Sequence, residues 1–333
     1  MGESNDKFFA IRGVVFQWTF LFLVASYICL PIYNPSFFAD LMQGKWLLDK
    51  ITANGWAIFS RELWAMGDGW TVGNDGAFHN GFYKFFLALV YNLGGYVGVI
   101  FFKIGLIFAT LLTASYFSYR LCKHRFFAVF ITLVGGMGGF YANEMTPLLF
   151  NMFLFTAVVS LVHKLIVLRK VKTVVALFVI TILLVALDMT DYLLLYYGHP
   201  DEVANVTVAH KSIVSLYNYQ FAFLLILSAV ALSFCYMARF RQAKEEAVLI
   251  ILCFLIAVFN SSFVCPVLFV ISFACAHLWG KCGVEKLGDL ANGIDLLGKK
   301  FDFIPTSGFA FLLCCISIVF IHRLMLMPIV VGK

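Results

Sequence analysis

Charge is scarce in this chain. Asp, Glu, Lys and Arg make up 13% of its 333 residues, against the roughly 25% that a soluble domain carries. So few ionisable groups cannot coat a water-facing globule of this size. Proline is also sparse, with seven residues. Two of them, Pro147 and Pro266, stand just inside apolar runs, where the missing N–H costs least or a kink is intended. Short chemical signatures are missing as well. The sequence has no C-x-x-C pair, no H-E-x-x-H or H-x-x-E-H, no Walker-A loop and no G-x-S-x-G elbow. Structural zinc, ATP hydrolysis and serine-hydrolase chemistry therefore have no support from motifs. Low-complexity tracts and internal repeats are absent too.

What the chain has instead is apolar length. Hydrophobic residues make up 62% of it, with 38 Phe among them. Crossing about 30 Å of hydrocarbon takes about 20 apolar residues. Runs of that kind lie near 13–32, 95–118, 126–143, 146–168, 172–195, 212–238, 246–260, 263–280 and 305–328. The sequence thus predicts an all-α integral membrane protein. About nine transmembrane helices form one polytopic domain over 1–333, with amphipathic interfacial helices in a large first outward loop. The first run is long, lacks an A-x-A site and is followed by further spans, so it reads as a span rather than a cleaved signal.

Basic residues give the orientation. Sixteen of the 24 Lys and Arg fall on the side of the N-terminus and of the turns at 120–125, 164–172, 239–244 and 281–300. Five fall on the other side, at Lys45, Lys50, Arg61, Lys84 and Lys211. The positive-inside rule places the N-terminus in the cytoplasm and, after nine spans, the C-terminus outward. The net charge of +6 is spread over short loops rather than gathered in one patch, which argues against nucleic acid and for membrane lipids as partners. Of the nine cysteines, seven sit in or against spans and none in an outward loop. They read as apolar thiols, not as a disulfide framework.

Two outward segments carry the polar chemistry. The larger, 33–94, opens with Phe38, Leu41, Met42, Trp46 and Leu48 at helical spacing, then turns irregularly around Gly67, Gly69, Gly73 and Gly76. Its last part, Phe82 to Leu93, is apolar but too short to span, so it is expected in the interface. Asp40, Asp49, Glu62 and Asp75 lie in this segment, with Lys45, His79 and Lys84. Carboxylates beside a membrane-side cleft serve as general bases or hold a divalent cation. The bland alternative is a set of solvated loop charges. The second segment, 196–211, holds His199, Asp201, Glu202, His210 and the acceptor-type triplet Asn205-Val206-Thr207. Asp188 and Asp191 precede it at a spacing of three, which puts both on one helical face near the outer interface. Glu144 lies in a tight turn and either reaches the same cleft or favours the positive end of the helix that starts at Pro147. On the cytoplasmic side, 281–304 reads as a surface segment of mixed charge. Gly135, Gly136, Gly138 and Gly139 suit close helix approach, and His277 is expected packed or bonded to backbone.

Asp40-Leu-Met-Gln-Gly-Lys-Trp-Leu-Leu-Asp49, followed by Gly55, is similar to an H-L-x-x-G-x-W-I-L…G helix in a bacterial branch of the GT-C-type polytopic glycosyltransferases. Asn80-Gly-Phe-Tyr83 leading to Leu93-Gly-Gly-Tyr-Val-Gly98 resembles that branch's H-E-W-L…G-G-x-x-G. Met145-Thr-Pro-Leu-Leu-Phe-Asn151 resembles its R-P-x-L-F-S, and Asn260 to Phe269 a later R-x-x-P-L-F. The plan is shared too: a first span, an outward loop with an amphipathic helix and an acid, then a bundle. The likeness covers about residues 13–280. The chain departs from the branch at its polar positions, with Asn34 and Ser36 for paired acids, Asp40 for the histidine, Asn80-Gly81 for H-E, and Thr146 and Ser262 or its neighbour for the arginines.

The resemblance implies a transferase in a bacterial inner membrane that takes a sugar from a lipid-linked donor at the outer face. Asp40 would be the catalytic base. Lys45, Glu62, Asp75, His79, Lys84, Glu144, Asp188 and Asp191 would line the substrate cleft, with the donor phosphate held by lysines or a divalent cation. The lost polar positions equally suit a non-catalytic subunit or scaffold with membrane-protein partners. A transporter is the third reading. Its weakness is that Lys103 and Arg323, the ionisable groups within spans, are both expected to snorkel to an interface.

Overall fold

A computed structural model describes residues 2–29, 32, 35–54, 81–140, 147–168, 219–237, 243–259, 264–282, 315–319 and 321. Every regular element among them is helical, with no strand. The helices are α1 (Gly2–Ile28), α2 (Pro35–Asn54), α3 (Gly81–Cys122), α4 (Arg125–Phe140), α5 (Pro147–Leu168), α6 (Tyr219–Met237), α7 (Lys244–Phe259) and α8 (Val264–Cys282). Among the described residues, two helical stretches are long and apolar enough to cross a bilayer: Tyr83–Cys122, of 40 residues, and Gln220–Met237, of 18. Shorter apolar helices run over Gln17–Ile28, Phe127–Gly138, Met152–Val162 and Val264–Gly280. The expected spans at 172–195 and, for the most part, 305–328 lie outside the described residues. So do the segment 196–211 and residues 283–304.

Local chemistry explains several boundaries. Proline opens α2 and α5 at the position where a helix has no use for the N–H. Glu245 and Glu246 occupy the first turn of α7, where negative charge meets the positive end of the helix dipole. Between α3 and α4 the turn takes two residues. Lys123 adopts a left-handed φ of 60°, and its N–H donates to the Tyr119 carbonyl at 2.8 Å, which closes the last turn of α3. His124 then caps α4, its Nδ1 accepting the Phe127 N–H at 3.2 Å. Other boundaries depart from the sequence reading: α1 ends at Ile28 rather than near 32, and α3 continues to Cys122 rather than 118. The first helix starts at Gly2 rather than near residue 13, because nothing in 2–12 breaks a helix.

Helix α3 is about 60 Å long at 1.5 Å per residue, twice the hydrocarbon thickness of a bilayer. It is broken at Gly95, whose φ of 59° and ψ of −152° are far from helical. That combination is essentially restricted to glycine. The break divides α3 into a short arm, 81–94, and a long shaft, 96–122. The arm lies along α2 and meets α5 through Phe86 and Phe150, and the shaft meets α1, α4 and α8.

The core has two parts joined by α8. In the first, Leu21, Phe37, Leu41, Tyr83, Leu87, Ile104, Ile107 and Phe117 pack with Phe269 and Phe273 of α8. In the second, Phe127, Ile131, Leu224, Leu227, Phe234 and Ile250 pack with Leu268, Ile271 and Trp279 of α8. Trp279 stacks on Phe127 with ring centres 4.1 Å apart. Small residues set the spacing between helices. A side chain at Gly135 of α4 would collide with Ser272 Oγ of α8, and one at Gly138 would come within 2.9 Å of Leu268 and Phe223. The glycine-rich face of α4 thus lets it approach both α8 and α6. Ser118 and Thr132 share a buried hydrogen bond of 3.1 Å between α3 and α4.

The outer faces are greasy. On α7, Ala247, Ile250 and Ala257 are buried, whereas Val248, Leu249, Leu252, Leu255, Ile256 and Phe259 are exposed. A helix that is apolar on every side yet half exposed is poorly solvated by water and well solvated by lipid.

Candidate functional site

The candidate site forms where α2 lies on the arm of α3. The buried face of α2 is Phe37, Leu41, Gly44 and Leu47. This corrects the sequence reading, in which Phe38, Met42, Trp46 and Leu48 shared the apolar face with Leu41. Met42 is exposed and the other three are half-buried. The stripe is turned by about one residue, because Gly44 rather than a large side chain meets the arm. No Cβ fits at Gly44, since it would strike the carbonyl group of Lys84.

Asp40 lies one turn before Gly44 on the same side of α2, and so faces Lys84. The Lys84 ammonium is 3.6 Å from an Asp40 carboxylate oxygen. The Lys84 side chain is 5% exposed and that of Asp40 20%. An ammonium this deep in an apolar interface requires a counter-charge, and Asp40 supplies it. Asp40 also connects the buried interface with the surface. Tyr83, next in chain and fully buried, lies within electrostatic reach of the same carboxylate. Further along, the Lys45 ammonium stands 4.4 Å over the centre of the Tyr91 ring. The arm is fixed on its other side by Phe86, whose ring lies 6.0 Å from that of Phe150 in α5.

Of the residues expected at the site, the structure thus gathers Asp40, Lys84 and Lys45 on one helix pair. Glu62, Asp75, His79, Glu144, Asp188 and Asp191 lie outside the described residues. Asp49 is exposed near the end of α2. Among the described residues, no three His, Cys, Asp or Glu side chains come together as a metal site.

Other polar contacts escaped the sequence reading. Lys103 does not snorkel. It is fully buried in the shaft of α3, within electrostatic reach of Cys29, the residue after the end of α1. The turn of α3 that carries it is covered by neighbouring helices, a packing choice that hydropathy does not encode. His277 is not simply packed or tied to backbone; its Nε2 is 3.3 Å from Glu246 Oε1 on α7. Gln17 of α1 donates to Ser115 of α3 at 2.7 Å. An amide inside an apolar run was the available signal for that bond.

No protein-family model, curated protein or solved structure matches the chain.

Proposed function

We propose that the chain is a polytopic protein of a bacterial inner membrane, crossing nine times with its N-terminus in the cytoplasm and its C-terminus outward. In this reading it is a GT-C-like transferase that takes a sugar from a lipid-linked donor at the outer face. The observation that carries it is the Asp40 carboxylate, 3.6 Å from the Lys84 ammonium at a partly exposed edge of α2. An ionised carboxylate at the membrane interface is suited to receive a proton from an acceptor hydroxyl. The acceptor oxygen then bonds to the sugar's anomeric carbon, and the bond from that carbon to the donor phosphate breaks. The phosphate leaves with the electron pair, and Lys45 is the nearby cation suited to hold it. Lys84 is a positioning residue here, because its charge is engaged by Asp40.

The test is transfer of radiolabelled hexose from polyprenyl-phosphate donors in proteoliposomes. Asp40→Asn should lower the rate by about a hundredfold or more, the low end of what a general base contributes. Thermal unfolding of each variant separates lost chemistry from lost fold. Transfer that is unchanged in a folded Asp40→Asn protein removes the assignment.

A second reading is a non-catalytic subunit. It is favoured by the depth of Lys84, since a pair this buried also serves to clamp α2 to the arm. No transfer from any donor, together with a stoichiometric partner retained in mild detergent, would favour this reading.

A further inference from the structure

About 57 Å of helical rise, interrupted at Gly95, separates Lys84 from the far end of α3 at Cys122. There, α1, α3 and the start of α4 enclose a cavity of about 480 Å³. Val14 and Leu112 line it with apolar surface, and Trp18, Tyr116 and Tyr119 add aromatic rings. Trp18 and Tyr116 are each about half exposed, so the cavity opens onto the surface of the bundle. Gln17 lines it too, anchored by its bond to Ser115.

Positive charge gathers at this end. Arg125, the first residue of α4, lines the cavity with its guanidinium 5.7 Å from the Tyr119 ring centre. Arg120 stands at the same distance over Tyr116. No Asp or Glu occurs in the sequence between Asp75 and Glu144, and no acid is among the described residues lining the cavity. The combination of a guanidinium fork, ring-bearing side chains of the kind that favour head-group depth, and apolar walls matches a phosphate ester on a hydrocarbon chain. Inorganic phosphate would leave the apolar walls unused. A zwitterionic head group would bring an ammonium to two tyrosine rings that already carry guanidinium groups, with no acid among the described residues that line the cavity.

We propose that this cavity binds an anionic membrane phospholipid. Arg125 recognises the phosphate, and Arg120 over the Tyr116 ring adds positive charge. Val14 and Leu112 lie along the start of the acyl chains.

The experiment is native mass spectrometry of the full chain in detergent, titrated with phosphatidylglycerol, phosphatidylcholine or inorganic phosphate. Phosphatidylglycerol is expected to bind at least tenfold more tightly than phosphatidylcholine. Arg125→Gln should weaken it about tenfold, the effect of losing one charge-assisted hydrogen bond. Lys244→Gln, which removes equal charge from another turn, should leave it unchanged. Val14→Trp fills the cavity with every charge retained and should weaken binding similarly. It decides the matter if Arg125→Gln does not fold. Equal affinity for the two lipids, equal losses in Arg125→Gln and Lys244→Gln, unchanged binding in Val14→Trp, or equally effective competition by inorganic phosphate would each overturn the proposal.

Discussion

Gly44→Ala is the sharpest perturbation of the α2–α3 interface. The added methyl would fall inside the contact distance of the Lys84 carbonyl oxygen, 2.7 Å from the carbonyl carbon and 3.2 Å from the Ala88 Cβ. Non-bonded carbons settle at about 3.5–4.0 Å, so α2 must retreat by about 1 Å. Two of the three obstacles are backbone, so a side-chain rotation cannot relieve them. A gap of that size forfeits a quarter to a half of each dispersion contact across it. Phe37, Leu41, Leu47, Tyr83 and Leu87 are the buried side chains that would feel it. Overpacking of this kind costs about 1–3 kcal/mol, and the upper end is expected. The same retreat would stretch the 3.6 Å contact between Asp40 and Lys84, so any function of Asp40 should fall with stability. Thermal unfolding in detergent provides the readout. Gly105→Ala is the control, because a methyl there meets nothing within 4 Å and should leave stability unchanged or raise it. If the two variants unfold at the same temperature, the close approach of α2 to the arm is wrong.

Gly95→Ala places a side chain at a φ and ψ that L-residues avoid. It should destabilise by about 1–3 kcal/mol, or straighten α3 and lift the arm from α2. Crosslinking of paired cysteines at Lys45 and Tyr91, whose side chains meet across α2 and the arm, detects the second outcome, and wild-type stability with unchanged crosslinking would refute both. His124→Ala removes the acceptor that caps α4 and should cost about 1 kcal/mol, read as a lowered unfolding temperature. An unchanged temperature would show that the Phe127 N–H finds another acceptor at no cost.

The helical reading was legible because apolar length and helix-compatible composition repeat along the chain. The ends of α5 and α8 agree with the sequence reading within two residues, since Pro147 marks one and polar residues bound the other. The separation of the arm from the shaft of α3 was legible by length alone, whereas the break at Gly95 came from the structure. Phe82 to Leu93 is too short to span, and Gly94-Gly95 follows it. Asp40 was legible as an acid on an amphipathic helix, and Lys45 and Lys84 as nearby cations. Their pairing was not, because 44 positions separate Asp40 from Lys84 and nothing in either segment names its partner. The buried face of α2 was misread for a related reason. Counting large apolar residues misses a face organised around a glycine.

The sequence by itself determined the helical class and the local geometry: long apolar helices, and proline at two helix starts. These follow from short-range sterics and from the free energy of moving side chains out of water, both of which are local properties. The tertiary structure alone decided which charges meet. It set Asp40 on Lys84, Glu246 on His277, and Lys103 in the interior near Cys29. Those outcomes depend on how closely two helix backbones can approach and in which register, which is fixed by the small residues between them.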